Sequence, residues 1–124
     1  MKDVLVVFVG GGIGAAGRYW LSGLAYRFNS GAFPVGTMLV NVLGCFLIGL
    51  FMGSMEERFL VTPSLRLFLT IGVLGGFTTF SSFSYESMAL FRDGEMLLGL
   101  ANVGGSVLLC LMATFAGSAA AKLF

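Results

Sequence analysis

The residues of this 124-residue chain that could do chemistry are mostly uncharged, and their types suit handling an ion better than making or breaking bonds. Asn41 stands alone in the apolar run Gly36-Thr37-Met38-Leu39-Val40-Asn41-Val42-Leu43-Gly44, and its amide carries two N–H donors. An unpaired amide in apolar surroundings is costly, so Asn41 must point into the protein, either as glue between helices or as a donor to an anion. Phe80 and Phe83 lie three apart and share a helical face. They serve either as core packing or as ring edges, whose positive rim can meet a small anion in a dry site. Asn102, Ser106, Cys110, Thr114 and Ser118 recur every four residues, a polar stripe that either bonds its own backbone or lines a polar track. With no His, and with Cys45 and Cys110 both inside apolar runs, neither a transition-metal cluster nor a disulfide framework is expected.

The element that must position these groups is the stretch Gly75-Gly76-Phe77-Thr78-Thr79-Phe80-Ser81-Ser82-Phe83. Gly costs about 1 kcal/mol and Thr roughly half that in a helix interior, so Gly75, Gly76, Thr78 and Thr79 forfeit about 3 kcal/mol of helix propensity within five residues. Gly76 lies ten residues after Arg66 and ten before Glu86, or about 15 Å of helical rise from each charge. If those charges mark the two water interfaces, the weak point falls near the midplane of an apolar layer about 30 Å thick. Irregular backbone at that depth must be buried in protein or line a site, and broken helices at the midplane are where transport proteins place ion sites.

Composition supports such a membrane setting. The chain is 57% hydrophobic and 10% charged, with a mean hydropathy of +0.97, which reads as an all-α integral membrane protein. Seven Lys and Arg against six Asp and Glu offer no basic surface, so no nucleic acid partner is expected. Four apolar spans are predicted in a single domain covering 1–124, at about 4–24, 34–55, 63–88 and 95–121. Short connections leave no room for a soluble catalytic domain, and the chain is not expected to be an enzyme. The N-terminal segment reads as a retained membrane helix, since no small-residue cleavage site with a polar domain follows it.

Lys and Arg near the span ends set orientation. Lys2, Arg58, Arg66 and Lys122 fall on one side and Arg18, Arg27 and Arg92 on the other, almost no bias. Either one weakly favoured orientation wins, or the chain inserts both ways and pairs with an inverted copy of itself. Gly12-Ile13-Gly14-Ala15-Ala16-Gly17 matches a dinucleotide fingerprint, but no Asp or Glu follows as far as Met55, so Gly10 and Gly14 are read as a helix-packing motif. Arg18, near the end of the first span, is either an interfacial anchor or an anion-attracting residue at a vestibule.

Taken in chain order, Gly10-Gly11-Gly12-Ile13-Gly14-Ala15-Ala16-Gly17-Arg18-Tyr19, then Gly36-Thr37 with Asn41-Val42 and Gly44, then the block from Gly75 to Phe83, resemble the Fluc/CrcB family of bacterial fluoride channels. The third block is the most specific. The resemblance implies four transmembrane helices with the third broken at the midplane, in an antiparallel, dual-topology homodimer with two pores. It implies passive export of fluoride across the bacterial inner membrane, and with it fluoride resistance. Phe80 and Phe83 match the family's pore phenylalanines and Asn41 its pore amide. Ser81, Thr79 and Ser106 fall at positions resembling its polar lining, and Arg18 matches a vestibule arginine. A structural Na⁺ at the dimer centre would be held by the backbone carbonyls of Gly75 and Thr78. Cys110 departs from the pattern, where a hydroxyl is expected; a thiol is a poorer donor. The competing class is a proton-coupled exporter of cationic compounds of the small multidrug resistance type. That chemistry needs a carboxylate deep in the membrane, whereas Glu86 is expected near an interface.

Overall fold

The computed structural model describes residues 1–58 and 61–123. Every regular element among them is helical. α1 is Lys2–Arg27 and α2 is Val35–Arg58. The third segment is composite: α3 (Pro63–Leu67), a π-helical stretch (Phe68–Leu74), α4 (Gly75–Phe77) and α5 (Phe80–Arg92). α6 is Met96–Ala121. Four of the resulting segments are long and apolar enough to cross a membrane: Lys2–Arg27, Val35–Met55, Pro63–Arg92 and Met96–Ala121. The third starts where Thr62 caps it, its side chain accepting from the Leu65 N–H, with Pro63 at the first position, where a missing N–H costs nothing. Gly94, at φ 82°, supplies the left-handed turn into α6.

Burial runs opposite to that of a water-soluble bundle. Phe8, Trp20, Leu97, Leu108 and Phe115 are exposed, while Thr37, Thr79, Ser87, Asn102 and Ser106 are among the most buried residues. Apolar side chains on the outside are stable against lipid, and hydrogen-bonding groups turn inward because lipid offers them no partner. Backbones then approach through small residues. A Cβ at Gly10 would lie 2.8 Å from the Phe68 carbonyl oxygen, and one at Gly14 would overlap the Val73 carbonyl. Gly10 and Gly14 are thus the contact face of α1 against the third segment. Gly49 meets Thr114 and Gly53 meets Ala121, so α2 and α6 run parallel in close contact.

The third segment departs from α-geometry twice. In the π-helical stretch the Gly75 N–H reaches the Thr70 carbonyl, five residues back. Further on, Thr78 (φ −82°, ψ 156°) and Thr79 (φ −149°, ψ 112°) are extended. Propensity singled out the glycines together with the threonines, but only the threonines leave the helix. Gly75 stays helical, and Gly76, also helical, is used for packing: a Cβ there would collide with the backbone of Gly11 on α1.

A neutral cavity at the interrupted helix

The two extended threonines expose backbone groups that a helix would have paired, and each is met by a side chain from another element. Asn41 on α2 donates from Nδ2 to the Thr79 carbonyl at 3.0 Å, and its Oδ1 accepts from the Thr79 N–H at 2.7 Å. One amide thereby takes the place of two backbone partners, the interhelical glue of the two roles open to it. The second N–H of Asn41 makes no hydrogen bond among the described residues. On the opposite side Arg18, half-buried on α1, donates from Nη1 to the Thr78 carbonyl at 3.3 Å. Arg18 is therefore tied to the interruption itself, a use that neither sequence reading of it foresaw.

α5 begins immediately after the interruption. Thr79 Oγ1 caps it by accepting from the Ser82 N–H at 3.3 Å, and the same hydroxyl contacts the Ser82 and Ser81 hydroxyls at 3.1 Å and 3.3 Å. The positive end of the α5 dipole therefore lies at Phe80 and Ser81. Phe80 is 78% exposed and Phe83 only 9%; their ring centroids are 5.3 Å apart at 51°, a tilted pair.

Asn41, Gly75, Thr78, Thr79, Phe80, Phe83 and Ser106 all line one cavity of about 380 Å³. No charged side chain is among its lining residues. Ser81 lies outside the lining, exposed at the start of α5, and Arg18 sits behind the cavity, reaching Thr78 from α1. The α6 stripe divides. Ser106 and Cys110 face the cavity, Thr114 bonds the Cys110 carbonyl on its own helix, and Ser118 donates to the Gly49 carbonyl across to α2. Asn102, 1% exposed, donates to Ser87 Oγ at 2.9 Å and accepts from Ser106 at 3.3 Å, while Ser87 donates to the Phe83 carbonyl. This chain of bonds ties the cavity hydroxyl to the helix that carries the phenyl groups.

Two features escaped sequence reasoning. Glu86 is partly buried between α1, α2 and α5, with Oε1 accepting from Thr37 at 2.7 Å and from Tyr26 at 3.4 Å, and with Oε2 buried and unpaired. The signal available was that Glu86 is the one carboxylate between Arg66 and Arg92. Cys45 joins the cavity wall as well; nothing in its local sequence distinguishes it from the apolar run around it.

What the arrangement offers is a set of neutral donors and aromatic edges beside a helix N-terminus, chemistry that suits a small anion shed of water. Comparison with known proteins points the same way. Residues 5–118 match the family described as CrcB-like protein, Camphor Resistance (CrcB). The chain is 50% identical over 122 residues, 98% of both chains, to a protein of Geotalea daltonii named fluoride-specific ion channel FluC. A protein of the same name from Geobacter sulfurreducens is likewise 50% identical over 98% of each chain. One from Methylocella silvestris is 48% identical over 93% of this chain and 89% of its own. A match across nearly the whole length, carried by a multi-pass helical chain whose cavity is built at an interrupted helix, means that this protein belongs to the CrcB-like family.

Proposed function

We propose that this protein is a fluoride-selective channel, a passive path for fluoride out of the cytoplasm across the bacterial inner membrane, conferring resistance to the ion. The observation that carries the reading is the uncharged cavity at the interruption, where Asn41, Thr79, Phe80, Phe83 and Ser106 meet. Neutral donors can replace the water of a small anion without holding it as tightly as a fixed cation would. Fluoride as the ion follows from the names of the relatives that match over 98% of their length. A proton-coupled cation exporter would need a carboxylate in the path, and the cavity lining contains none.

In this reading the interruption lies near the membrane midplane, and two copies of the chain pack antiparallel in a dual-topology homodimer. Phe80 and Phe83 turn positive ring edges to the ion, while the N-terminus of α5 lowers the cost of negative charge beside them. Asn41 contributes its remaining N–H, and the Ser106 and Thr79 hydroxyls contribute their protons by giving up Asn102 Oδ1 and Ser82 Oγ as acceptors when the ion arrives. Ser81, exposed next to Thr79, completes the polar lining once a second copy covers this face. Arg18 holds the interruption in place and biases the vestibule toward anions.

The backbone also suits a structural Na⁺ at the dimer centre. Because the Thr79 N–H goes to Asn41, the Gly75 carbonyl loses the partner it would have had in an unbroken helix. Gly75 is exposed at the cavity, so its oxygen is available to a hard cation. The Thr78 carbonyl is already engaged by Arg18 and keeps one lone pair, which makes it the weaker of the two ligands. When bound, the ion supplies a fixed positive charge at the centre of the assembly.

Fluoride efflux from liposomes containing the purified protein, followed with a fluoride electrode and with chloride as control, tests the reading. Rapid fluoride efflux without matching chloride efflux is expected. No flux above protein-free liposomes would leave a membrane assembly subunit in its place.

A further inference from the structure

Two thiols line the cavity wall, and the proposed ion path uses neither. Cys45 on α2 and Cys110 on α6 are unbridged and half-buried, and both line the cavity. The register of the two parallel helices brings them level. Met38 lies against Gly105 on one side of the pair, where a Cβ on the glycine would be 3.6 Å from Met38 Cε. On the other side Gly49 meets Thr114, with a Cβ there 3.0 Å from the Thr114 carbonyl carbon. Each cysteine lies four residues, about one turn, before the Gly49–Thr114 contact on its own helix, and both face the cavity. Among the described residues no group of three or more His, Cys, Asp or Glu is gathered, so two sulfurs are the whole ligand set. A structural zinc site takes four ligands. Two soft thiolates suit instead a soft cation that is satisfied by two ligands in line.

We propose that Cys45 and Cys110 form a two-thiolate site for a soft, two-coordinate metal cation in the cavity wall, with mercuric ion as its probe. Uptake from mercuric chloride breaks both S–H bonds, forms two Hg–S bonds, releases two chlorides and sends two protons to solvent, with no change of oxidation state. Sulfurs held on two packed helices bind as a chelate, so a monothiol in solution must displace both bonds to strip the metal. The site stands whether or not the chain conducts fluoride, because its test reads metal and not flux.

The full-length protein in detergent is loaded with mercuric chloride, washed with excess glutathione and assayed for mercury per chain by elemental mass spectrometry. About one mercury per chain is expected in the wild type, and roughly tenfold less in Cys45→Ser and in Cys110→Ser, since each variant loses the chelate. Mercury retained equally by either variant, or washed from the wild type, overturns the proposal. X-ray absorption at the mercury edge on the wild type needs no variant to fold. Two sulfur neighbours at one mercury per chain support the pair, and a single sulfur neighbour overturns it.

Discussion

Replacing Asn41 by Ala removes both side-chain partners of Thr79, a residue 8% exposed, and leaves its N–H and C=O facing a gap. Each buried polar group left unpaired costs about 1–3 kcal/mol, so Asn41→Ala is expected to cost about 2–6 kcal/mol while the segment keeps its extended form. The comparison is Thr79→Val, which removes the α5 cap but leaves both backbone bonds to Asn41, and which is expected to cost about 1 kcal/mol. The assay is the fraction of purified protein that still elutes as assembled after heating, read beside hydrogen exchange at the Thr79 amide. A loss of about 2 kcal/mol in local protection corresponds to roughly 30-fold faster exchange, at tenfold for every 1.4 kcal/mol. If Asn41→Ala proves no less stable than Thr79→Val, with unchanged exchange at Thr79, then the amide does not hold the interruption and the account of the site is wrong.

Three further outcomes are expected. Phe80→Ile and Phe83→Ile, close in volume, should each cost under about 1.5 kcal/mol of stability yet slow fluoride efflux about tenfold or more, equivalent to 1.4 kcal/mol of barrier. Phe68→Ile, in the same segment but outside the cavity lining, should leave efflux near wild type, and unchanged efflux in both site variants would return the phenyl groups to packing. Gly14→Ala drives a Cβ into the Val73 carbonyl and within 2.8 Å of the Phe77 N–H, so a cost of about 1–3 kcal/mol is expected in heat-stability measurements. Gly23→Ala, with nothing within 4 Å, should be neutral or stabilising. Cysteine labels at the termini should be reached from both faces of the membrane in comparable amounts, and labelling from one face alone would exclude dual insertion. Two added Lys in one connection should skew that ratio, because the native Lys and Arg count is so nearly even.

How far the sequence can be read depends on whether a residue's fate is set by its neighbours in the chain or by what stands opposite. The four spans were legible because length and apolarity are local properties. So was the packing role of Gly10 and Gly14, since small residues at that spacing serve little else in a membrane helix. Gly76 was not: propensity marks it as a helix breaker, but it stays helical because Gly11 stands against it, a fact absent from the local sequence. Periodicity placed Cys110 on the polar face of α6, while its place level with Cys45 on the cavity wall needed the register of two helices. Ten residues past Gly76, Glu86 reads as interfacial by rise alone, and only Thr37 and Tyr26, from two other helices, reveal that it is enclosed.

Asn41 shows why the two roles open to it in sequence need not exclude each other. An amide with two N–H donors and one carbonyl can pair both backbone groups of Thr79 and still hold one N–H in reserve. The bonds that hold the interruption also fix the plane of the amide, and with it the direction of the reserved N–H. A donor that needs no reorientation costs little to use, which is the condition for stabilising a dehydrated anion without trapping it. In the proposed ion path, scaffold and donor would then reside in one side chain: a substitution that frees the amide to rotate would lose the orientation of the donor along with the geometry of the helix break.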